Sequence, residues 1–152
     1  MGSQLQTILD AISGLSVTVS GSVVTVRSGS SLQNSAELPD IPLRILSAPT
    51  RASGGKTKIS TLGGAGHVME MEWMITDLCL LRYVGTGLGL PDIGQVYTDT
   101  YISYTNTSRQ ISSNTYSLVR IDLMNGTTEY PQGSGNVYHS ITAIYTVREI
   151  VQ

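Results

Sequence analysis

The chain contains no phenylalanine, one cysteine, and charge on only 13% of its 152 residues, about half the usual globular share. The lone Cys79 excludes an intrachain disulfide and any zinc site built on several cysteines. No apolar run reaches the ~18 residues of a membrane-spanning helix. The start, Met1-Gly2-Ser3-Gln4-Leu5-Gln6, lacks the basic and apolar regions of a secretory signal, and Gln6 stands where a myristoylation site requires Ser or Thr. The expected address is therefore the cytoplasm of the producing cell. A formal net charge of −2 argues against a free-standing nucleic-acid binder, which needs a basic face to neutralise phosphates.

In place of charge there are 36 Ser and Thr, 16 Gly and eight Tyr, with 40% hydrophobic residues, too many for a disordered chain. The length suits a single domain over 1–152, large enough to fold without a metal or disulfide. Few charges and many hydroxyls indicate a β-rich domain with an uncharged polar surface.

Leu5, Ile8, Leu9 and Ile12 fall on one stripe of a short helix that Ser3 caps and Gly14 stops. Val17 to Val26 reads as a hairpin turning at Ser20-Gly21-Ser22, and residues 28–40 as a polar loop. Leu43 to Leu46 is a short strand. Thr50 to Gly66 holds five glycines and three of the nine basic residues, Arg51, Lys56 and Lys58, and is expected to be a long loop. In the next strand Met69, Met71, Trp73 and Ile75 point one way and Glu70 and Glu72 the other.

Thr76-Asp77 is expected to cap a second helix carrying Leu78, Leu81 and Tyr83, ended by the glycines at 85–89. Pro91-Asp92 opens a third helix, with Ile93, Val96, Tyr97, Thr100, Tyr101 and Tyr104 on one face and residues 105–114 leaving it. Tyr116 to Met124 is a strand with a turn at Asn125-Gly126, and Val137 to Val151 a long final strand. The order predicts an α+β fold: a mostly antiparallel sheet with two central helices on one face, a short N-terminal helix and a long glycine-rich loop.

No catalytic, cofactor-binding or metal-binding residue emerges from these patterns. The glycines at 85–89 match neither a dinucleotide fingerprint nor a P-loop. His67 and His139, the only histidines, share no spacing that joins them. Cys79 sits among leucines as a small apolar residue. Glu70 and Glu72, ~6–7 Å apart on one strand face, have a spacing compatible with acid–base work in a cleft, but read better as a solvated or lumen-facing edge. Asp92 and Asp99 share the polar side of their helix. The tyrosine stripe and Trp73 read as core. Arg51, Lys56 and Lys58 form either a partner-contact loop or a plain hairpin tip.

The element order resembles that of the tail terminator and neck proteins of long-tailed bacteriophages. The matching features are the Leu5–Ile12 helix, the Leu38-Pro39 to Leu46 strand entry and the glycine-rich loop. They continue with the strand ending Trp73-Met74-Ile75-Thr76-Asp77, the helix with Leu80-Leu81-Arg82 and the Tyr97–Tyr101–Tyr104 helix. The closing strand, from Tyr138-His139-Ser140-Ile141 to Val147-Arg148-Glu149, completes the set. Order and length over nearly the whole chain carry the likeness. It implies a structural virion protein and not an enzyme. Such a protein is a homohexameric ring that ends tail-tube growth, meets head-completion proteins and lets DNA pass through its lumen. Glu70, Glu72, Asp92 and Asp99 are then the candidates to line that lumen. The alternatives are a head-closure or tail-tube subunit, or a cytoplasmic ligand-binding domain that uses the tyrosine-rich helix.

Overall fold

The computed structural model describes residues 3–28, 41–47, 49–51, 58–62, 66–85 and 90–151. Helix α1 (Leu5–Ser13) precedes three short strands, β1 (Thr18–Val19), β2 (Ser22–Val23) and β3 (Thr25–Ser28). Strands β4 (Leu43–Leu46), β5 (Thr50–Arg51) and β6 (Lys58–Leu62) lead to the long strand β7 (Gly66–Tyr83). Helix α2 (Leu90–Ser108) and the long strands β8 (Tyr116–Glu129) and β9 (Val137–Val151) follow.

The fold is α+β, with a mostly antiparallel sheet ordered β3-β4-β7-β9-β8. Among the described residues, only β3 and β4 run parallel as neighbours. Strands β4, β5 and β6 line one edge of β7 in succession, and β9 pairs its other edge from Met69 to Tyr83. Strands β7 and β8 run in the same direction with β9 between them, and α2 makes the crossover, a split β-α-β unit.

One face of this sheet meets both helices. Ile75, Cys79 and Leu81 of β7 and Ile141, Ala143, Tyr145 and Val147 of β9 pack with Ile8 and Ile12 of α1 and Tyr104 of α2. The i, i+4 spacing of Ile8 and Ile12 and the two-residue period of β9 supply these contacts directly. A second, smaller core lies on the far face, where Leu43, Ile45, Leu80 and Tyr138 are buried with Ile41, Leu78, Tyr83 and Tyr130 around them.

Several expected elements change. The Thr76–Tyr83 segment is the second half of β7, so α2 is the one central helix among the described residues. Its strand is apolar on both sides because Cys79 and Leu81 enter the main core while Leu78 and Leu80 enter the second one. A strand buried on both faces loses the alternation that identifies it in sequence. The 50–66 stretch is not one loop, since β5 and β6 pair with β7 within it.

The 17–26 hairpin shrinks to β1 and β2 around Ser20 and Gly21, both at positive φ, and β3 leaves it to pair with β4. Helix α2 continues to Ser108, its hydroxyls turned back onto the helix: Thr107 Oγ1 donates to the Ser103 carbonyl at 2.8 Å and Ser108 Oγ to the Thr105 carbonyl at 3.1 Å, while Tyr104 and Ser108 are buried against the sheet side. The α1 N-cap is Gln4, although Ser3 Oγ does accept from the Leu5 N–H at 3.1 Å.

Asn125-Gly126 makes no turn, because β8 runs straight through to Glu129 and pairs Gly126 with Ser140. Two α2 tyrosines hold it there. Tyr101 donates to Asn125 Oδ1 at 2.7 Å and Tyr97 to the Gly126 carbonyl at 3.0 Å. The chain reverses after Tyr130 instead, where Gly133 and Gly135 adopt positive φ. A Cβ at Gly126 meets open space. Gly126→Thr is therefore expected to leave urea-denaturation stability unchanged or raise it by up to ~1 kcal/mol. A loss larger than about 1 kcal/mol would place the residue in a turn that needs glycine.

Candidate functional site

Two regions of the fold are unusual, one buried and one open. The buried region begins with Arg44, a single cation in the apolar β4. The register sets Arg44 opposite Cys79, on the helix-covered face. Its side chain and that of Asp77 are both 0% exposed. Arg44 Nε and Nη2 donate to Asp77 Oδ2 at 2.8 and 2.6 Å. The remaining donors turn to the end of α1: Nη2 reaches the Ile12 carbonyl at 3.1 Å and Nη1 the Leu15 carbonyl at 3.0 Å. The guanidinium thus adds a donor to two carbonyls at and just after the helix end, which also accept from the Leu15 and Val17 N–H groups, and sits at the negative pole of the helix dipole.

The opposite end of α1 meets a buried carboxylate. Glu149 of β9 lies on the core face with Val147 and is 0% exposed. It accepts from Ser3 Oγ at 2.6 Å, the Gln4 N–H at 2.8 Å and Trp73 Nε1 at 2.9 Å. Three donors at the positive end of α1 compensate its desolvation without a cation.

Tyr104 and Tyr145 surround the ion pair. The Arg44 guanidinium lies 5.8 Å from the Tyr104 ring centroid, and the Tyr145 hydroxyl donates to Asp77 Oδ2 at 3.4 Å. Burial works against the Arg44 charge, yet the Asp77 contact holds its proton more firmly than usual. Burial, the largest influence, pushes the Asp77 carboxyl up against the pull of Arg44. Burial and then the Asp77 charge push the Tyr104 hydroxyl well up and the Cys79 thiol up to about 12. These groups are tightly enclosed: Asp77 Oδ2 takes the donors of Arg44 and Tyr145, while Asp77 Oδ1 and the Tyr104 hydroxyl are buried without a hydrogen-bond partner among the described residues.

The open region is the far face of the sheet beyond the second core. Reading across β7, β9 and β8, its rows are Glu72, Arg148 and Ser117; Met74, Thr146 and Arg120; Thr76, Ile144 and Asp122; and Leu78, Thr142 and Met124. No helix covers these rows among the described residues. Arg148 Nη2 donates to Glu72 Oε1 at 2.8 Å and Arg120 Nε to Asp122 Oδ2 at 3.1 Å. Both pairs are exposed, so each contributes little to stability, ~0–1 kcal/mol. Met124, in the row of Thr142, is 59% exposed, whereas Thr146, in the row of Arg120, is buried.

The residues singled out from sequence are scattered over this frame. Glu70 and Glu72 lie on the open face, with Glu72 tied to Arg148. Asp92 and Asp99 lie on the exposed side of α2, across the sheet from them, and Asp99 accepts from Gln95 at 2.8 Å. The four carboxylates therefore do not share one surface within a subunit. Arg51 pairs with Trp73 in β5 and Lys58 with Glu70 in β6, and Lys56 lies outside the described residues. His67 and His139 occupy opposite ends of β7's ladder, opposite Thr61 and Arg82, ~50 Å apart along the strand. His139 contacts the Tyr97 hydroxyl through Nδ1 at 3.3 Å. Tyr104 is core, and Tyr97 and Tyr101 are half-buried with hydroxyls on β8. Trp73 is half-buried and spends its N–H on Glu149. Among the described residues, no group of three or more His, Cys, Asp and Glu could hold a metal.

Sequence reasoning missed Arg44, Asp77 and Glu149. Two of them left a signal. Arg44 interrupts an otherwise apolar four-residue strand, and the alternation Ile141, Ala143, Tyr145, Val147 carries Glu149 onto the same face. No protein-family model matches the chain, and no curated protein matches it.

The Cys79 environment gives a direct check. In the folded protein the thiol stays protonated to about 12, whereas the unfolded chain ionises it near 9.0. The unfolded state then binds fewer protons, so this group's contribution to stability is full below the lower value and is lost as pH rises between the two. Cys79 is expected to resist a thiol reagent in the native protein at mildly alkaline pH and to react rapidly in denaturant. Fast native labelling, with no unfolding, would contradict its enclosure.

Proposed function

We propose that this chain is a structural virion subunit that closes into a homohexameric ring at the head-proximal end of a phage tail. There it ends tail-tube polymerisation, joins tail to head-completion proteins and leaves a lumen for DNA. The observation that supports this reading best is the one-sided sheet. Helices cover one face, and on the other the long strands present half-buried Thr76 and Thr142 with Met74, Ile144 and exposed Met124, around a buried Thr146. Hydroxyl and apolar side chains can be buried against another chain without the heavy desolvation cost of unpaired charges. The charge-poor composition extends this property to the chain as a whole.

A ring needs head-to-tail contacts between unlike surfaces of identical copies. The separation of the carboxylates bears on the lumen. Glu70 and Glu72 on the open face and Asp92 and Asp99 on α2 look in opposite directions, so a single lumen takes one pair and not both. Either pair would repel DNA phosphates and keep the passage non-adhesive.

Mass measurement of the purified protein, alone and mixed with tail-tube protein, tests the proposal. Particles of six chains that cap the ends of tubes are expected. A monomer at every concentration that ignores tubes would overturn it, and open-ended polymers would point to a tube subunit instead.

A further inference from the structure

We draw no further inference here: the strongest candidate, the outer edge of β8 beyond Val119 with exposed Met124 at its middle, carries none because nothing in the structure shows what covers it.

Discussion

The fold depends on how one short helix is fastened. Nine residues are too few to form a stable helix in water, so α1 exists only because the sheet holds it. Ile8 and Ile12 supply the apolar contact, and a buried charge of the appropriate sign sits at each end. Glu149 receives the N-terminal donors and Arg44 the C-terminal carbonyls. Arg44 is in turn anchored by Asp77 on the central strand and Glu149 by Trp73 on the same strand. The helix is thus referenced at both ends to β7, the strand that every other part of the sheet contacts directly or through one neighbour.

Burying three charged groups in so small a core is costly, and a buried pair is weak evidence of stability by itself. What the arrangement supplies is position. Apolar packing alone tolerates sliding of a helix along a sheet, whereas a guanidinium that must meet one carboxylate and two specific carbonyls permits a single placement. With α1 fixed and α2 tied to β8 through Tyr97 and Tyr101, both helices stay on one face. No described helix covers the other face beyond the second core, and the proposed role in assembly draws on that asymmetry. The long β7, β8 and β9 give it a rigid, hydroxyl-rich surface with its charges mostly paired.

The sequence was most readable where one face is buried and one is not. Val137–Val151 appears with the bounds expected of it, because alternation has one physical meaning there, and Leu43–Leu46, although buried on both faces, is marked by a short apolar run between Pro42 and Pro49. Thr76–Tyr83 misleads for the opposite reason. Its leucines serve two cores, and Thr76-Asp77 imitates a helix cap while Asp77 is the buried anchor of Arg44. Asn125-Gly126 imitates a hairpin turn, but hydrogen bonds from a distant helix keep it extended. Glycines and basic residues in the 50–66 stretch hide two short strands that pairing with β7 creates. Asp92 and Asp99 were legible as exposed positions, and Glu70 and Glu72 as one side of their strand, where both are half-buried. Their placement on opposite faces was not, because it depends on which side of the sheet receives α2.

Native-state hydrogen exchange tests the fastening of α1 most directly, measured on the unmodified protein and on Arg44→Met and Glu149→Gln. The account predicts that either change lowers the protection of the Ile8–Ile12 amides by ~100-fold or more, as expected for breaking a buried charge cluster, and by much more than it lowers that of the β7–β9 ladder. Unchanged α1 protection, or an equal loss in helix and ladder, would contradict it.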